Sequence, residues 1–333
     1  QEPGTTGNYN IDVDRYKLGN EYRQVMLGAR EFYGAGLPTT AQTWQNKRLQ
    51  YTHGYGSVMS PVNEADAQGL PSYYMSQIPL QTKYPELAVK QPQIYFGEMI
   101  SEYAFVDTKQ KEFDYPAGEG NQETTYQGKG GIKLGGILDR SLWSIRLGDT
   151  NMLLSGDLQN ESRILFRRNI RDRVKSIAPF LVLDRDPYFV INKGKQVWMI
   201  DGYTVTNEYP YSKPTNNTED GEEATTSFNY IRNSVKAVID AYDGTVDLYV
   251  SDDKDPIIQT WQKVFPTLMK PMSQLPKGLR EHLRYPEDMF RIQRDMYRMY
   301  HITDARSYYG KEDAWDVPLE PGADAQSDQA RDT

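Results

Sequence analysis

The chain contains 333 residues, of which 38 are Lys or Arg and 46 are Asp or Glu, so its formal net charge at pH 7 is -8. This length suffices for two domains or for one large domain with a sizeable core. The absence of cysteine excludes disulfide frameworks, thiol nucleophiles and cysteine-based metal sites, and the acidic balance argues against a nucleic-acid partner, because phosphate binding requires an excess of Lys and Arg on one face.

Both ends of the chain are polar and lack periodicity. We expect residues 1–10 and 319–333 to be disordered tails, the second of them acidic. The start has neither a methionine nor a signal peptide, which suggests a piece excised from a longer protein. The longest apolar runs, such as 180–183, fall far below the ~18 residues that a spanning helix requires. We therefore predict that residues 11–318 fold without crossing a membrane.

The first half of the chain has weak strand signals and one helical signal. A helix is predicted over residues 162–177, because Ile170, Val174 and Ile177 repeat at the spacing of one helical face. The glycine-rich residues 116–131 are predicted to form a loop. Short extended runs are predicted at residues 23–30, 95–98 and 103–107.

Two β-hairpins give the clearest local signals in the second half. Apolar residues alternate on both sides of Asp243 and Gly244, which is the pattern of a hairpin closed by an Asp-Gly turn. A second hairpin is predicted over residues 188–200. Between them, residues 212–227 contain no aliphatic side chain larger than alanine. This segment is predicted to be a long polar loop, near which two subdomains would divide.

The second helical block begins after these hairpins. Asp255 is the predicted N-cap and Pro256 the first residue of a helix that Pro266 must kink or end. Pro286 opens a further helix, whose apolar face carries Met289, Ile292, Met296 and Met299. Hairpins and two helical blocks without regular β-α alternation, joined by long polar loops, predict the α+β class.

One histidine lies in a segment suited to binding a ligand. His53 is followed by Gly54, Tyr55 and Gly56, and by Asn63 and Glu64 a few residues later. Flanking glycines let the backbone approach a ligand, and the two polar residues could orient the imidazole or share its proton. We therefore predict a ligand site at His53, Tyr55, Asn63 and Glu64, with a purely structural histidine as the alternative. No catalytic residue is assigned.

Basic residues crowd the helix predicted over residues 162–177. They include Arg163, Arg167, Arg168 and Arg171. Such a cluster could bind a phosphate-bearing polymer or a lipid headgroup. The alternative is a solvated face whose arginines pair weakly with nearby carboxylates.

Two acidic groups have the oxygen ligands that calcium prefers. They are Asp184 with Asp186, and Asp252 with Asp253. Neither group matches the spacing of an EF-hand, and helix caps or turns explain them as well. No resident cofactor is predicted.

Several longer motifs resemble a known family. They are residues 50–56, 59–64, 91–98, 112–116, 162–165, 209–212, 229–236, 240–244 and 284–288. In this order they are similar to uncharacterised protein family 0182, a bacterial family of multi-pass membrane proteins. The resemblance runs from about Tyr22 to Pro318.

The resemblance implies a location more than an activity. Members of this family have several N-terminal transmembrane helices and then a large extracytoplasmic region, to which residues 11–318 would belong. The expected partners are therefore the remainder of the same membrane protein and an envelope polymer or protein.

The resemblance carries no catalytic residue to this chain. Its 25 tyrosines suit half-buried surfaces and interfaces, although they could equally line loops and sheet edges. We predict a binding or interaction module, with an envelope hydrolase or transferase using carboxylates or His53 as the alternative.

Overall fold

The structure, a computed structural model, describes residues 10–118, 120–216 and 227–316. Apart from Asn10, the predicted tails lie outside the described residues, as does the centre of the predicted polar loop. The chain divides into two compact units. The first combines Gln1–Thr206 with Ile231–Arg284, and the second combines Asn207–Tyr230 with Tyr285–Thr333.

Most strands are short. In chain order they are β1 (Ile11–Leu18), β2 (Glu21–Ala29), β3 (Gly54–Tyr55), β4 (Ser57–Pro61), β5 (Met75–Ser76), β6 (Gln81–Thr82), β7 (Gln93–Ile94), β8 (Ala104–Val106), β9 (Glu112–Ala117), β10 (Gly120–Thr124), β11 (Ile132–Lys133), β12 (Arg163–Leu165), β13 (Val182–Leu183), β14 (Tyr188–Asn192), β15 (Lys195–Thr206), β16 (Thr215–Asn216), β17 (Ser227–Phe228), β18 (Tyr230–Asp240), β19 (Val246–Val250) and β20 (Met269–Pro271).

The helices are α1 (Ile137–Leu147), α2 (Asn151–Leu154), α3 (Ile170–Ile177), α4 (Pro256–Val264), α5 (Lys277–Arg280), α6 (Glu287–Tyr300) and α7 (Ala305–Gly310). Short 3-10 turns occur at Gly34–Gly36, Thr39–Ala41, Pro85–Leu87 and Met272–Gln274, and a π-helical turn occurs at Asn46–Gln50. Across the three described ranges, every helix is too short or too polar to span a bilayer.

A five-stranded antiparallel sheet contains β1, β2, β4, β5 and β6 in that order. Along β1 exposed and buried residues alternate, and the buried row is Asp12, Asp14, Tyr16 and Leu18. Two buried carboxylates in one strand require polar partners. Asp14 meets the imidazole of His282, with 2.8 Å between Oδ2 and Nδ1.

A six-stranded sheet contains both predicted hairpins. Its order is β13, β15, β18, β19 and β20, with β14 also pairing with β15. The pairing of β14 with β15 and of β18 with β19 confirms the two hairpins. Only short turns separate the partner strands, so the local turn residues were enough to predict both hairpins. β20 runs parallel to β19, whereas the other ladders of this sheet for which a register is given are antiparallel.

The main core lies against this larger sheet. Trp198 in β15 is almost completely buried, and its ring centroid lies 4.9 Å from that of Phe189 in β14. Its indole N–H donates to the carbonyl oxygen of Phe96 at 3.1 Å, which satisfies the only polar group of a large apolar side chain.

The predicted helix starts at 255 and 286 are confirmed. Asp255 caps α4 by accepting hydrogen bonds from the N–H groups of Ile257 and Ile258, and the helix ends at Val264, before Pro266. α6 begins immediately after Pro286. Helices and largely antiparallel sheets without regular alternation confirm the α+β class.

The helix predicted over residues 162–177 is wrong in its first half. Only Ile170–Ile177 is helical, because the side chain of Asn169 accepts hydrogen bonds from the next turn and so fixes the start of α3. Upstream, Arg163 lies in β12 and pairs with Val106 of β8. Pairing with the distant strand β8 therefore decided the structure of this segment, and the local helical spacing did not.

Two other predictions also need correction. Residues 95–98 form no strand, although the N–H groups of Tyr95 and Phe96 both donate to the carbonyl of Ala241. The predicted loop 116–131 begins as a hairpin of β9 and β10. The extended runs at 23–30 and 103–107 are confirmed as parts of β2 and β8.

Candidate functional site

His53 is the centre of a buried polar network. Its side chain is fully covered, and its Nε2 lies 3.2 Å from Oδ1 of Asp114. On the other side of the ring, Nδ1 lies 2.9 Å from Oγ1 of Thr52 and 3.5 Å from Oε2 of Glu112. Both acids come from β9, where residues two apart point to the same face. The imidazole therefore sits between two carboxylates.

Glu112 is almost completely buried and its oxygens accept several hydrogen bonds. Its Oε2 accepts from the hydroxyl of Thr52 and from that of Tyr95, the latter at 2.8 Å. Its Oε1 accepts from the N–H of Tyr126 at 2.9 Å. The donors of these bonds belong to well-separated parts of the chain, so Glu112 links those parts to one another.

The two carboxylates also set the protonation of the histidine. Burial acts to lower the pKa of His53, but its hydrogen bonds to Asp114 and Glu112 outweigh burial, and the pKa ends above its ordinary value. Both ring nitrogens already have hydrogen-bond or ion-pair partners, so neither is free to take a proton from a substrate.

The other residues of the predicted histidine site are exposed or have other partners. Asn63 and Glu64 are exposed, and the carboxylate of Glu64 pairs with Arg23. Tyr55 packs against Tyr115, with 4.9 Å between the ring centroids, and burial raises its pKa. Sequence reasoning therefore found the histidine but missed its acids. Two acids spaced by two residues in a strand were the available signal.

The predicted arginine cluster does not form one surface. The guanidinium of Arg163 donates to the carbonyls of the glycine-rich loop, with Nε 2.6 Å from the oxygen of Gly130. Arg167 is exposed beside the ring of Phe166, and Arg171 donates to the carbonyl of Asp184.

Arg168, which was predicted to belong to a surface cluster, is buried. It is almost completely buried, and its guanidinium donates to the carbonyls of Thr52, Tyr95 and Glu102. Burial lowers the pKa of this group to about 10. The chain thus uses Arg168 to join three backbone segments around the His53 network.

Three of the four predicted calcium ligands have other partners. Asp184 is buried and accepts from the hydroxyl of Tyr203, whereas Asp186 is exposed and lies 3.7 Å from Arg284. Asp252 forms an ion pair with Arg232 at 2.9 Å, and Asp253 is exposed. Within the described part of the chain, no three His, Asp or Glu residues are grouped so that they could hold a metal ion.

A polar cleft of about 310 Å³ opens beside the turn between β18 and β19. The residues that line it include Gln91, Gln127, Lys129, Lys195, Gln196 and Tyr242. None of these residues stood out as a site in the sequence, because they come from four separate segments.

Three tyrosine rings connect the cleft to the His53 network. Tyr242 stacks on Tyr126 with 5.0 Å between centroids, and both rings meet Tyr95 edge to face. Since the hydroxyl of Tyr95 donates to Glu112, the buried network fixes these rings from behind. His53 therefore supports the cleft wall without lining it.

The charges in the cleft balance. Lys195 lies 3.2 Å from Asp240, and Asp243 accepts hydrogen bonds from the hydroxyl of Tyr126 at 2.7 Å and the backbone N–H of Lys129 at 2.9 Å. Two lysines and two aspartates line the cleft, so it has no formal excess of either charge.

The model of the Uncharacterised protein family (UPF0182) matches residues 8–331. The chain belongs to this family. Curated UPF0182 proteins are similar to it at 48% identity in Pelotomaculum thermopropionicum, 49% in Alkaliphilus metalliredigens and 50% in Cupriavidus necator. These matches cover 92 to 93% of this chain but only 32 to 33% of the relatives, so the chain spans about a third of their length. No solved structure matches the chain.

This UPF0182 chain also carries an apolar stripe on α1. Leu138, Leu142 and Ile145 share one helical face and are 78%, 67% and 80% exposed. Nearby in the chain, Leu154 of α2 is 82% exposed. The opposite face of α1 packs inward through Trp143, whose ring meets that of Phe166. We call these four exposed side chains the α1–α2 stripe.

Proposed function

We propose that this UPF0182 chain is a binding module, the extracytoplasmic part of a longer membrane protein, and that its α1–α2 stripe docks against the remainder of that protein. The observation that carries the proposal is the exposure of Leu138, Leu142 and Ile145 on a helix whose other face already packs on its own core. The location outside the membrane rests on the family resemblance of the sequence motifs.

Covering the stripe would be favourable. Burying one Leu or Ile side chain contributes roughly 1.5–3 kcal/mol relative to leaving it exposed. Exposed apolar side chains are ordinary when scattered, but a continuous row on one helix face is typical of an interaction site.

The size of the stripe favours a covalently linked partner. Stable complexes of separate proteins use roughly 20–30 residues on each side, whereas the stripe offers four large side chains. A linked partner needs fewer contacts, because its effective concentration is high. The relative from Pelotomaculum thermopropionicum extends well beyond the matched region, which covers 33% of its length. Such proteins have ample further polypeptide to cover an apolar face.

This chain contains no cysteine, so one introduced cysteine can be labelled selectively in it. Leu142→Cys and, as a matched control, Val264→Cys would be labelled with a maleimide in the isolated chain and in the longer protein that this proposal assigns it to, after any cysteine in the rest of that protein has been replaced by serine. Val264 is exposed on α4 and lies outside the stripe. We expect both sites to react quickly in the isolated chain, and only position 142 to become at least tenfold slower in the longer protein.

Equal labelling of position 142 in both proteins would refute the docking. A uniform slowing at both positions would also count against it, because the control site would then report a general change of the fold.

A hydrolase or transferase that uses His53 as its general base has no geometrical support in the described residues. A general base must reach its substrate, but the His53 ring is fully covered and both of its nitrogens have partners. We therefore propose binding rather than catalysis by His53.

A further inference from the structure

We propose that the polar cleft beside the β18–β19 turn binds a neutral hydroxyl-bearing ligand of the size of a sugar residue. The site is independent of the docking proposed above, because none of its lining residues belongs to the α1–α2 stripe.

The first argument is an unsatisfied acceptor. Gln196 is only 3% exposed and lines the cleft. Its amide nitrogen donates to the carbonyls of Gln91 at 3.1 Å and Pro92 at 3.0 Å, which fixes the orientation of the amide. The amide oxygen, by contrast, has no hydrogen-bond partner in residues 10–118, 120–216 and 227–316. A buried acceptor without a partner costs free energy, so the cleft favours a molecule that donates a hydrogen bond there.

The second argument is the balance of charge. Lys195 is already paired with Asp240, and the carboxylate of Asp243 accepts two hydrogen bonds from the protein. A phosphate or a sugar acid would need an excess of positive charge, which the lining does not have. The donor that reaches Gln196 is therefore expected to belong to a neutral group such as a hydroxyl.

The third argument is the combination of an aromatic ring with amides. Tyr242 is half-buried, and its orientation is fixed by Tyr95, by Tyr126 and by a hydrogen bond from the N–H of Gln127 to its hydroxyl at 2.9 Å. A sugar offers both C–H groups for such a ring and a hydroxyl for the amide oxygen of Gln127, whose amide nitrogen already donates to the carbonyl of Thr125 at 3.2 Å. The volume of about 310 Å³ lies at the lower end of the ~300–1,000 Å³ of small-molecule sites.

The experiment is a titration of the full chain followed by NMR. The probes are glucose, N-acetylglucosamine, maltotriose and chitotriose, with inorganic phosphate as the charged comparison. We expect at least one sugar to shift the side-chain amide signals of Gln196 in a saturable manner, and phosphate to leave them unchanged. Tighter binding of a trimer than of its monomer would assign the ligand to a polysaccharide, and equal binding to a free sugar.

Two variants test the contacts. Gln196→Met removes the unsatisfied acceptor and is expected to weaken binding about tenfold. Because Gln196 is buried, Gln127→Ala provides a second test on an exposed side chain and should weaken binding about threefold. Gln122→Ala is the matched control, since this glutamine is also exposed but lies outside the cleft lining.

Three results would overturn the proposal. They are an absence of saturable shifts with every sugar, a preference for phosphate, and equal affinities of the parent chain and Gln127→Ala. None of these results bears on the labelling of position 142, so the failure of one proposal is distinguishable from the failure of the other.

Discussion

The buried aspartate at the start of β1 makes the stability of this protein depend on pH. Asp12 is 6% exposed, its Oδ2 accepts from the N–H of Phe189 at 2.9 Å, and its Oδ1 lies 3.3 Å from Arg284. Burial raises the pKa of Asp12 from 3.8 to about 6, although the hydrogen bond from Phe189 and the charge of Arg284 act to lower it. Folding therefore makes the carboxyl of Asp12 harder to ionise, and it stays mainly neutral up to about pH 6.

The direction and size of the effect follow from this shift. A carboxyl whose pKa is raised by folding contributes stability that is fully present below pH 3.8 and is lost as the pH rises through about 6. At 1.36 kcal/mol per pH unit, the loss amounts to about 3 kcal/mol. Asp12→Asn cannot ionise, so we expect the variant to gain about 3 kcal/mol relative to the parent protein between pH 3.5 and pH 8.

The assay is urea unfolding at several pH values from 3.5 to 8, followed by tryptophan fluorescence. Comparison with the parent protein cancels the contributions of other groups, such as Glu31, whose pKa burial raises to about 7. Asp253→Asn serves as the control, since Asp253 is exposed and its replacement should leave the pH profile almost unchanged. A stability difference between Asp12→Asn and the parent that stays constant across this range would refute the reasoning.

Three further predictions concern the buried groups. Glu112→Gln should lower the pKa of His53, because the hydrogen bond to Glu112 is one of the interactions that raise it, and should cost about 3 kcal/mol, because an amide cannot accept all the hydrogen bonds that reach the two oxygens of Glu112; an NMR titration of the imidazole and urea unfolding measure the two effects, and an unchanged pKa would contradict the prediction. Asp255→Ala should cost about 2 kcal/mol in urea unfolding through loss of the α4 cap, and an unchanged free energy of unfolding would contradict this prediction. Trp198→Ala should cost about 4 kcal/mol in the same assay, and a cost below 1 kcal/mol would show that the core refills the space.

Local elements were predictable where nearby residues decide them. The hairpin at Asp243 and Gly244 needs only a tight turn and flanking alternation, and α4 needs only a cap at Asp255 followed by Pro256. The helix predicted over residues 162–177 failed because Arg163 pairs with a strand far away in the chain. Strand pairing depends on a partner that local periodicity does not reveal.

The candidate site was predictable only in part. The glycines around His53 identified a special segment, but its acidic partners Glu112 and Asp114 lie about sixty residues away. The cleft was missed, since Gln196 and Tyr242 are ordinary residues until four segments of chain meet around them.

The sequence by itself determined the α+β class, the two hairpins, the starts of α4 and α6 and membership of the UPF0182 family, since composition, turns, caps and ordered motifs are properties of neighbouring residues. The tertiary structure alone decided that Arg168 is buried, that His53 lies between two carboxylates and that α1 presents an apolar face outward. These features depend on which distant segments exclude water from one another, and that is a property of the folded chain as a whole.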